Sequence, residues 1–485
     1  CDNLYPLLYS LPVDLLKNVE GLYAAPARYH VDGAVINIVL KTPSPLDGLQ
    51  GQARAGYNWK HYSSYGVGLA ATYASGRWTF DLNYGISRTK TWNREETFSN
   101  HQLDGKRTMI EDDSRRTGRN LSNTVYASGS YRISDKSKLG LTYNGQFTTG
   151  ARARAVTTGT PGSFSNDINY NAPIEFHNVA LKYVSQIGLT VGGDYTRYSE
   201  DRTQHLRLAG EDVDRVVATN RQSINRYHAY VDQMHDLAGW QLSYGVEYQH
   251  ADDCSRQSYV TPAGQGFDGT LREDVANAYA GLQHSFGNGL SFNLSAKGEY
   301  YHNNGSHEWN FIPSLGATYY KTAWSIFQLN FTTQRVYPSY WDLHSGTNYL
   351  NDYSLVLGNP ALQPYLNYSA QLSYIMKQKY AATFYLQYGD KASVQLPYQS
   401  PDELRLVYQT INMNYKRIVG LNLHAPFNVG YVWDATATVN VFNQRERADR
   451  FHDISFDKSE WILYGGLNNT IRFTRTCPVT QSVDA

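Results

Sequence analysis

The acidic runs Glu111-Asp112-Asp113 and Asp252-Asp253 offer grouped carboxylates, the raw material of a calcium site. Neither run has the alternating ligand spacing of a calcium loop, so both read as solvated surface. His302, His307 and Glu308 share one connection, but no second cluster supplies the rest of a metal shell. Cys1, Cys254 and Cys477 are too scattered for a metal knot or a disulfide framework. No Ser-His-Asp, Cys-His or glycine-rich phosphate pattern stands out, so the reading is of a protein that is not an enzyme and needs no cofactor. What remains is aromatic. Tyr340, Trp341, Tyr349 and Tyr353 could stack on sugars or flat chelates at the mouth of a cavity, although rim packing explains them as well.

The elements that would position such a mouth repeat with period two. Trp78, Phe80, Leu82, Tyr84 and Ile86 alternate with Thr79, Asp81, Asn83, Gly85 and Ser87. Trp240, Leu242, Tyr244, Val246 and Tyr248 alternate with Gln241, Ser243, Gly245, Glu247 and Gln249, and Leu290–Lys297 follows the same rule. A soluble sandwich would point the apolar face inward, whereas an outer-membrane barrel points it at lipid and lines its lumen with the polar face. Tyr occurs 41 times beside 39 Gly, a composition that suits interfacial aromatic girdles. Mean hydropathy is −0.52, so no membrane-spanning helix is expected, but alternating strands escape that test. Zero net charge gives no case for a nucleic-acid partner.

Turn lengths choose the barrel. Short turns are expected at Ser75-Gly76, Ser134–Lys136, Gln186–Gly188, Leu237–Gly239, Gly287–Gly289, Lys321-Thr322 and Lys377–Lys379. Between them lie long polar connections, read as loops at Asn93–Arg119, Ala153–Tyr170, Leu206–Asn220, Asp252–Thr270 and Pro338–Gln363. Short periplasmic turns alternating with longer outer loops are the parity of a membrane barrel. Asp81, Asp194, Glu247, Lys297 and Glu299 then belong in the lumen, facing water or a plug, because a charge facing lipid at the midplane costs about 2–4 kcal/mol.

The stretch ahead of the barrel carries a signature. Pro26-Ala27-Arg28-Tyr29 followed by Gly33-Ala34-Val35-Ile36-Asn37-Ile38-Val39 resembles the end of the plug domain of TonB-dependent receptors, closest to the outer-membrane β-barrel protein family. Ala24-Ala25-Pro26 stands where siderophore receptors of that superfamily have an Arg-Gly-Pro turn. A short helix near Leu11–Leu16 and a strand near Val19–Tyr23 would complete a small α/β unit. Arg335, Pro338, Gly358, Asn359, Pro360 and Pro364 resemble a loop signature of the same barrels and read first as turn formers.

The resulting expectation is an all-β protein, a large antiparallel transmembrane β-barrel with the C-terminal remnant of an α/β plug. Residues 1–45 are assigned to the plug, 46–476 to an incomplete barrel and 477–485 to a non-barrel tail. About eighteen strands are counted, against the twenty-two of the receptors it resembles. Pro478 and the lost alternation after it suggest a gene fragment whose barrel stops before closing. The resemblance implies a multi-pass protein of the Gram-negative outer membrane, in contact with its lipid. It further implies uptake of a scarce, bulky nutrient, coupled to an inner-membrane TonB-type energy-coupling protein. The alternative is a non-transporting adhesin or surface-assembly barrel that retains a plug relic.

Overall fold

The computed structural model describes residues 16–22, 29–30, 35–40, 48–160, 164–208, 210–261, 266–303, 306–430, 432–452, 454–474 and 477–484. Two strands precede the barrel, β1 (Leu16–Leu22) and β2 (Val35–Leu40). They pair antiparallel, with Leu22 opposite Val35, and take no place in the barrel ring. The β-branched run from Val35, which lacks the alternation of the wall, therefore makes a strand outside the ring. The helix expected near Leu11 lies outside the described residues, and its last residue, Leu16, opens β1 instead.

The wall begins with β3 (Gly48–Trp59), β4 (Ser63–Ser75), β5 (Trp78–Leu103), β6 (Lys106–Ser134) and β7 (Ser137–Thr160). Two strands in line, β8 (Phe164–Asn171) and β9 (Ile174–Val184), fill the next position, since both pair with β7 and with β10 (Leu189–Leu208). β11 (Val216–Leu237), β12 (Trp240–Thr261) and β13 (Gly266–Ser285) follow, then β14 (Leu290–Asn303), β15 (Ser306–Thr322) and β16 (Ser325–Val336). The chain leaves the wall for β17 (Thr347–Tyr349) and β18 (Ser354–Leu357) and returns as β19 (Tyr365–Met376) and β20 (Tyr380–Asp390). It leaves again for β21 (Ser393–Gln399) and β22 (Leu406–Asn412), and ends with β23 (Tyr415–Val429), β24 (Trp433–Phe451), β25 (Ile454–Thr474) and β26 (Cys477–Asp484). Twenty of these strands form a closed ring among the described residues; β8 and β9 share one position, leaving nineteen.

Two expectations need correcting. The tail Cys477–Asp484 is not outside the barrel: it pairs with β25 and stands beside β3, so the ring does not stop at Thr476. Pro478 is tolerated because it is the second residue of the strand and sits opposite Arg472, beside an irregularity in the ladder, where no regular hydrogen bond is lost. The stretches 93–119, 153–170, 206–220 and 252–270 are not loops but mostly the tops of long hairpins. β5 and β6 stay in register from Trp78 opposite Tyr131 to Leu103 opposite Lys106. Above the membrane neither face of a strand meets lipid, so the alternation that marks a lipid-facing strand fades while the hydrogen-bonded ladder continues. The turn Asp104-Gly105, with φ of 51° and 74°, is the Asp-Gly pair that a tight hairpin requires.

The wall's apolar side chains face outward. Trp78, Phe80, Leu82 and Tyr84 are exposed along β5, while the inward Asp81 accepts hydrogen bonds from Thr72 and Ser128 at 2.8 Å. On β12, Val246 is 55% exposed and Ser243 5%. The two excursions from the wall combine into a lid, a four-stranded sheet in the order β17-β18-β22-β21, with β18 and β22 parallel. Beneath it the apolar cluster Ala155, Ile168, Leu206, Val216 and Ala218 packs with Tyr170, Tyr259 and Tyr349. Gly358 is where the lid's backbone crosses itself. A Cβ there would lie 1.6 Å from the carbonyl oxygen of His344.

Gly358→Ala is therefore expected to loosen the lid by about 1–3 kcal/mol, seen as roughly 5- to 150-fold faster amide exchange in β17 and β18 with the wall unchanged. In a Cys254→Ser background, Val246→Cys is expected to react with a lipid-soluble maleimide in outer membranes and Ser243→Cys is not. The reverse pattern would invert the wall.

Candidate functional site

The segment ahead of the barrel meets the wall at His30, which lies between β1 and β2 in the chain. Nδ1 donates to Glu247 Oε2 at 2.7 Å and Nε2 to Asp232 Oδ2 at 2.9 Å. Donation from both nitrogens requires an imidazolium. Burial alone would lower the pKa of His30, but the two carboxylates outweigh it and raise the pKa to about 9. The ring lies 4.4 Å from Tyr230 and 5.9 Å from Tyr279, centroid to centroid. Tyr279 donates its hydroxyl to Asp232 at 2.7 Å, and Asn277 donates to Glu247 at 2.7 Å. His228 links Glu247 to Asp194, at 3.3 and 2.9 Å, and Arg226 reaches Asp194 at 3.3 Å. Every wall residue here comes from the inward face of β10, β11, β12 or β13, because strand alternation presents one residue in two to the lumen.

A second set of polar contacts holds the lid. Arg335, 7% exposed, reaches Glu299 at 3.5 Å, pairs with Glu308 and donates to Asn310 at 3.3 Å. Tyr337 donates to Glu299 at 2.8 Å and Tyr340 to Glu273 at 2.7 Å. Burial and the Glu273 carboxylate push the Tyr340 hydroxyl's pKa well up. His344 donates Nε2 to the fully buried Asp253 at 2.6 Å. The lid backbone is also captured directly. Gln204 and Tyr170 donate to the carbonyl of Tyr349 at 2.6 and 3.1 Å. Gln257 both donates to the Thr347 carbonyl and accepts from its N–H, at 2.8 and 2.9 Å. Asn351 donates to Asp112 at 3.3 Å, and burial, with Glu95 nearby, raises that carboxyl's pKa.

The residues singled out from sequence fall into place unevenly. Arg335, Gly358, Asn359, Pro360 and Pro364 are brought together at the base of the lid, where Asn359 caps the N–H of Ala361 and donates to the Thr410 carbonyl. Pro338 lies between Tyr337 and Tyr340, where the chain turns from wall to lid. Tyr340 and Tyr349 hold the lid, Trp341 lies 6.3 Å from Phe267, and the Tyr353 N–H donates to Asn351 Oδ1. Of the plug signature, Tyr29 is described and Asn37 sits in β2, while Pro26, Arg28 and Gly33 lie outside the described residues. Asp113 pairs with Arg94 and Arg115, Asp252 with His250, and His302 with Asp274. Sequence reading missed His30 and Asp232. The available signal was that Asp232 shares the inward parity of Glu247's neighbours on a strand with few carboxylates.

Two cavities open between these contacts. One, of about 300 Å³, lies above the plug contact and is lined by His30, Arg226, His228, Glu247, Lys297 and Tyr337 among others. The other, of about 290 Å³, lies inside the rim, where Arg116 and Arg202 approach the ring of Tyr170 to 5.5 and 4.4 Å beside Thr89, Thr91 and Glu200. Both offer mixed charge and hydrogen-bonding groups rather than an apolar slot.

A model of the outer membrane protein beta-barrel family matches residues 185–483 of the chain. No curated protein sequence matches it. Among solved structures, a mutant ferric enterobactin receptor of Pseudomonas aeruginosa with enterobactin bound superposes with a TM-score of 0.55 at 11% identity, covering 98% of this chain and 81% of the receptor. The copper transporter OprC gives a TM-score of 0.58 at 11% identity, over 93% of this chain and 76% of the transporter. The siderophore receptor PirA of Acinetobacter baumannii gives 0.52 at 12% identity, over 98% and 81%. At such identities the likeness is one of fold. The family match, by contrast, spans well over half the chain and runs through β26. Together with the closed ring, it means that this chain belongs to the outer membrane protein beta-barrel family, a protein of the Gram-negative outer membrane that shares its fold with those solved receptors.

Proposed function

We propose that this barrel captures a scarce, bulky nutrient at its outer face and admits it through the lumen by displacement of the plug, with no bond made or broken. The observation that carries the reading is the contact of His30 with Asp232 and Glu247, which fastens a plug segment inside a barrel by a few exchangeable ionic hydrogen bonds. An apolar seal would hold permanently, whereas charged groups give up their partners readily once water reaches them. Likeness to siderophore receptors and a copper transporter supports a nutrient too large or too rare for open diffusion. An energy-coupling protein of the TonB type, pulling from the periplasm, supplies the work. On this reading the lid is the outer gate. Trp341 and Tyr353 on the lid, with Arg116 and Arg202 beneath it, are the first groups a ligand meets.

Cells with and without the protein, grown in one medium limiting in iron, copper and oligosaccharide, are expected to differ in the rate at which one component is depleted. An uncoupler of the proton-motive force should abolish the difference. Equal depletion, or a difference that survives the uncoupler, would leave an adhesin or surface-assembly barrel instead.

The plug contact has a pH dependence of definite sign. The pKa of His30 is raised from 6.5 to about 9, so its contribution to plug attachment is complete below 6.5 and is lost as pH climbs through 9. Barrels in planar bilayers should show rare openings at pH 6 and frequent ones at pH 10. His30→Ala should open them already at pH 7, because removing one partner from a buried ionic cluster costs about 3 kcal/mol and leaves two carboxylates facing each other.

A further inference from the structure

A row of cations crosses the outer face of the wall. Lys90 on β5 stands directly opposite Arg119 on β6, which stands opposite Arg152 on β7. Arg152 in turn faces Asn171 on β8. One residue pair higher, Arg154 faces Asn169 and Asn169 faces His205. All of these share the outward parity of Trp78, Phe80, Leu82 and Tyr84, since Tyr84 lies opposite Val125, Arg88 opposite Leu121 and Lys90 opposite Arg119 along one ladder. Together they line a cleft of about 460 Å³, to which Gly118, Ala153 and Tyr170 also contribute.

Like charges directly opposite each other in a sheet destabilise it, and the fold gives no reason for three in a row. Among the described side chains, two carboxylates of the neighbouring hairpins are engaged elsewhere. Asp113 is taken by Arg94 and Arg115, and Asp214 by His205 and Arg207. Neither Arg119 nor Arg152 has an ion-pair partner among the described residues. Lys90 lies over the ring of Tyr62 at 3.8 Å.

Height places the cleft. The outward apolar run from Trp78 to Ile86 spans about 27 Å of strand at 3.4 Å per residue. At a tilt near 40° this is about 21 Å of height, close to the roughly 25 Å lipid-facing band of such barrels. Arg88 and Lys90 are the next outward residues on β5, so the row lies just above the hydrocarbon, on the side of the long hairpins. That is the level of the headgroups of the outer leaflet.

From register, charge and height we infer that Lys90, Arg119, Arg152 and Arg154, with Asn171 and His205 beside them, bind the phosphorylated headgroup of the outer-leaflet glycolipid, lipopolysaccharide. Guanidinium groups take phosphate oxygens in pairs, and an anion between them removes the repulsion along the row. Acyl chains would then lie down the apolar band over Leu82, Tyr84 and their neighbours on β6 and β7.

The test is retention of lipopolysaccharide by the full chain purified from outer membranes in detergent, measured as bound 3-hydroxy fatty acid per barrel. The wild type is expected to retain about one molecule. Arg119→Gln/Arg152→Gln should retain at least fivefold less, Arg119→Lys/Arg152→Lys most of it, and Arg256→Gln, on the same outer face, all of it. Equal retention by wild type and the double Gln variant would overturn the proposal. Stripped wild-type barrel should also rebind intact lipopolysaccharide but not its enzymatically dephosphorylated form. That arm decides the matter even if the double variant does not fold, and equal rebinding of the two lipids would overturn the proposal. Inorganic phosphate at millimolar concentration should compete only weakly; if it displaced the lipid fully, the site would be one for free phosphate.

Discussion

Hydrocarbon offers a peptide group no hydrogen-bond partner, and each unsatisfied N–H or C=O there costs several kcal/mol. The rest of this structure follows from that constraint. A sheet can satisfy it only by closing, and the ring here closes with β26 beside β3. Because consecutive strands are antiparallel and the ring has nineteen positions, those two strands run in the same direction at the seam. The one interruption of the wall, at Ala172-Pro173 between β8 and β9, occurs above the apolar band. Even there the backbone is accounted for: the Ala172 N–H reaches the Ala151 carbonyl at 3.0 Å, and the Pro173 carbonyl accepts from Asp201 at 3.3 Å. A proline is tolerable at that point because the two flanking strands can pair with the segments on either side of it.

Closure also dictates what the interior is made of. With apolar side chains spent on lipid, the inward faces of the strands at membrane level are mostly polar, so the contacts there are made by charges and amides, and apolar packing gathers in the cluster beneath the lid. Such contacts contribute little net stability compared with apolar packing, since desolvation offsets most of their attraction. His30 touches the wall through one imidazolium shared by two carboxylates, and the lid is tied by backbone capture at Thr347 and Tyr349 and by the buried pair of His344 and Asp253.

How much of this was legible in the sequence depended on whether a strand had two different faces. Trp78–Ser87 and Trp240–Gln249 declared themselves because lipid lies on one side and the lumen on the other. Lys106–Asn120 did not, because neither of its sides meets lipid, and only the Asp104-Gly105 turn betrayed the hairpin. β26 was hidden by Pro478, although Val479 and Val483 keep the period of two. The lid strands are three to seven residues long and draw on two excursions separated by β19 and β20. No local pattern announces a sheet assembled that way. The inward placement of Glu247 and Asp194 could be foreseen, because a charge is excluded from lipid. Their partner could not, since His30 is distant in the chain and its role is set by tertiary register.

One residue decides which side of the wall carries the arginines of β7. Up to Thr149 the odd-numbered residues of that strand face outward: Leu139, Leu141, Tyr143 and Phe147 lie opposite Tyr131, Gly129, Ala127 and Asn123. At Gly150, with φ of +61°, β7 takes one extra residue against β6, so that Thr149 faces Leu121 but Arg152 faces Arg119. A bulge of this kind reverses the parity of everything beyond it. Beyond Gly150, Ala153, Ala155 and Thr157 turn inward beneath the lid, where small side chains are needed against Tyr170 and Ile168, and Arg152 and Arg154 turn out. Without the bulge the same sequence would bury two guanidinium groups under the lid, beside Arg116 and Arg202, and leave alanines at the headgroup level. A strand that must be apolar and small inside yet cationic outside, directly above a stretch with the opposite parity, can be written in one chain only if the register slips once between the two.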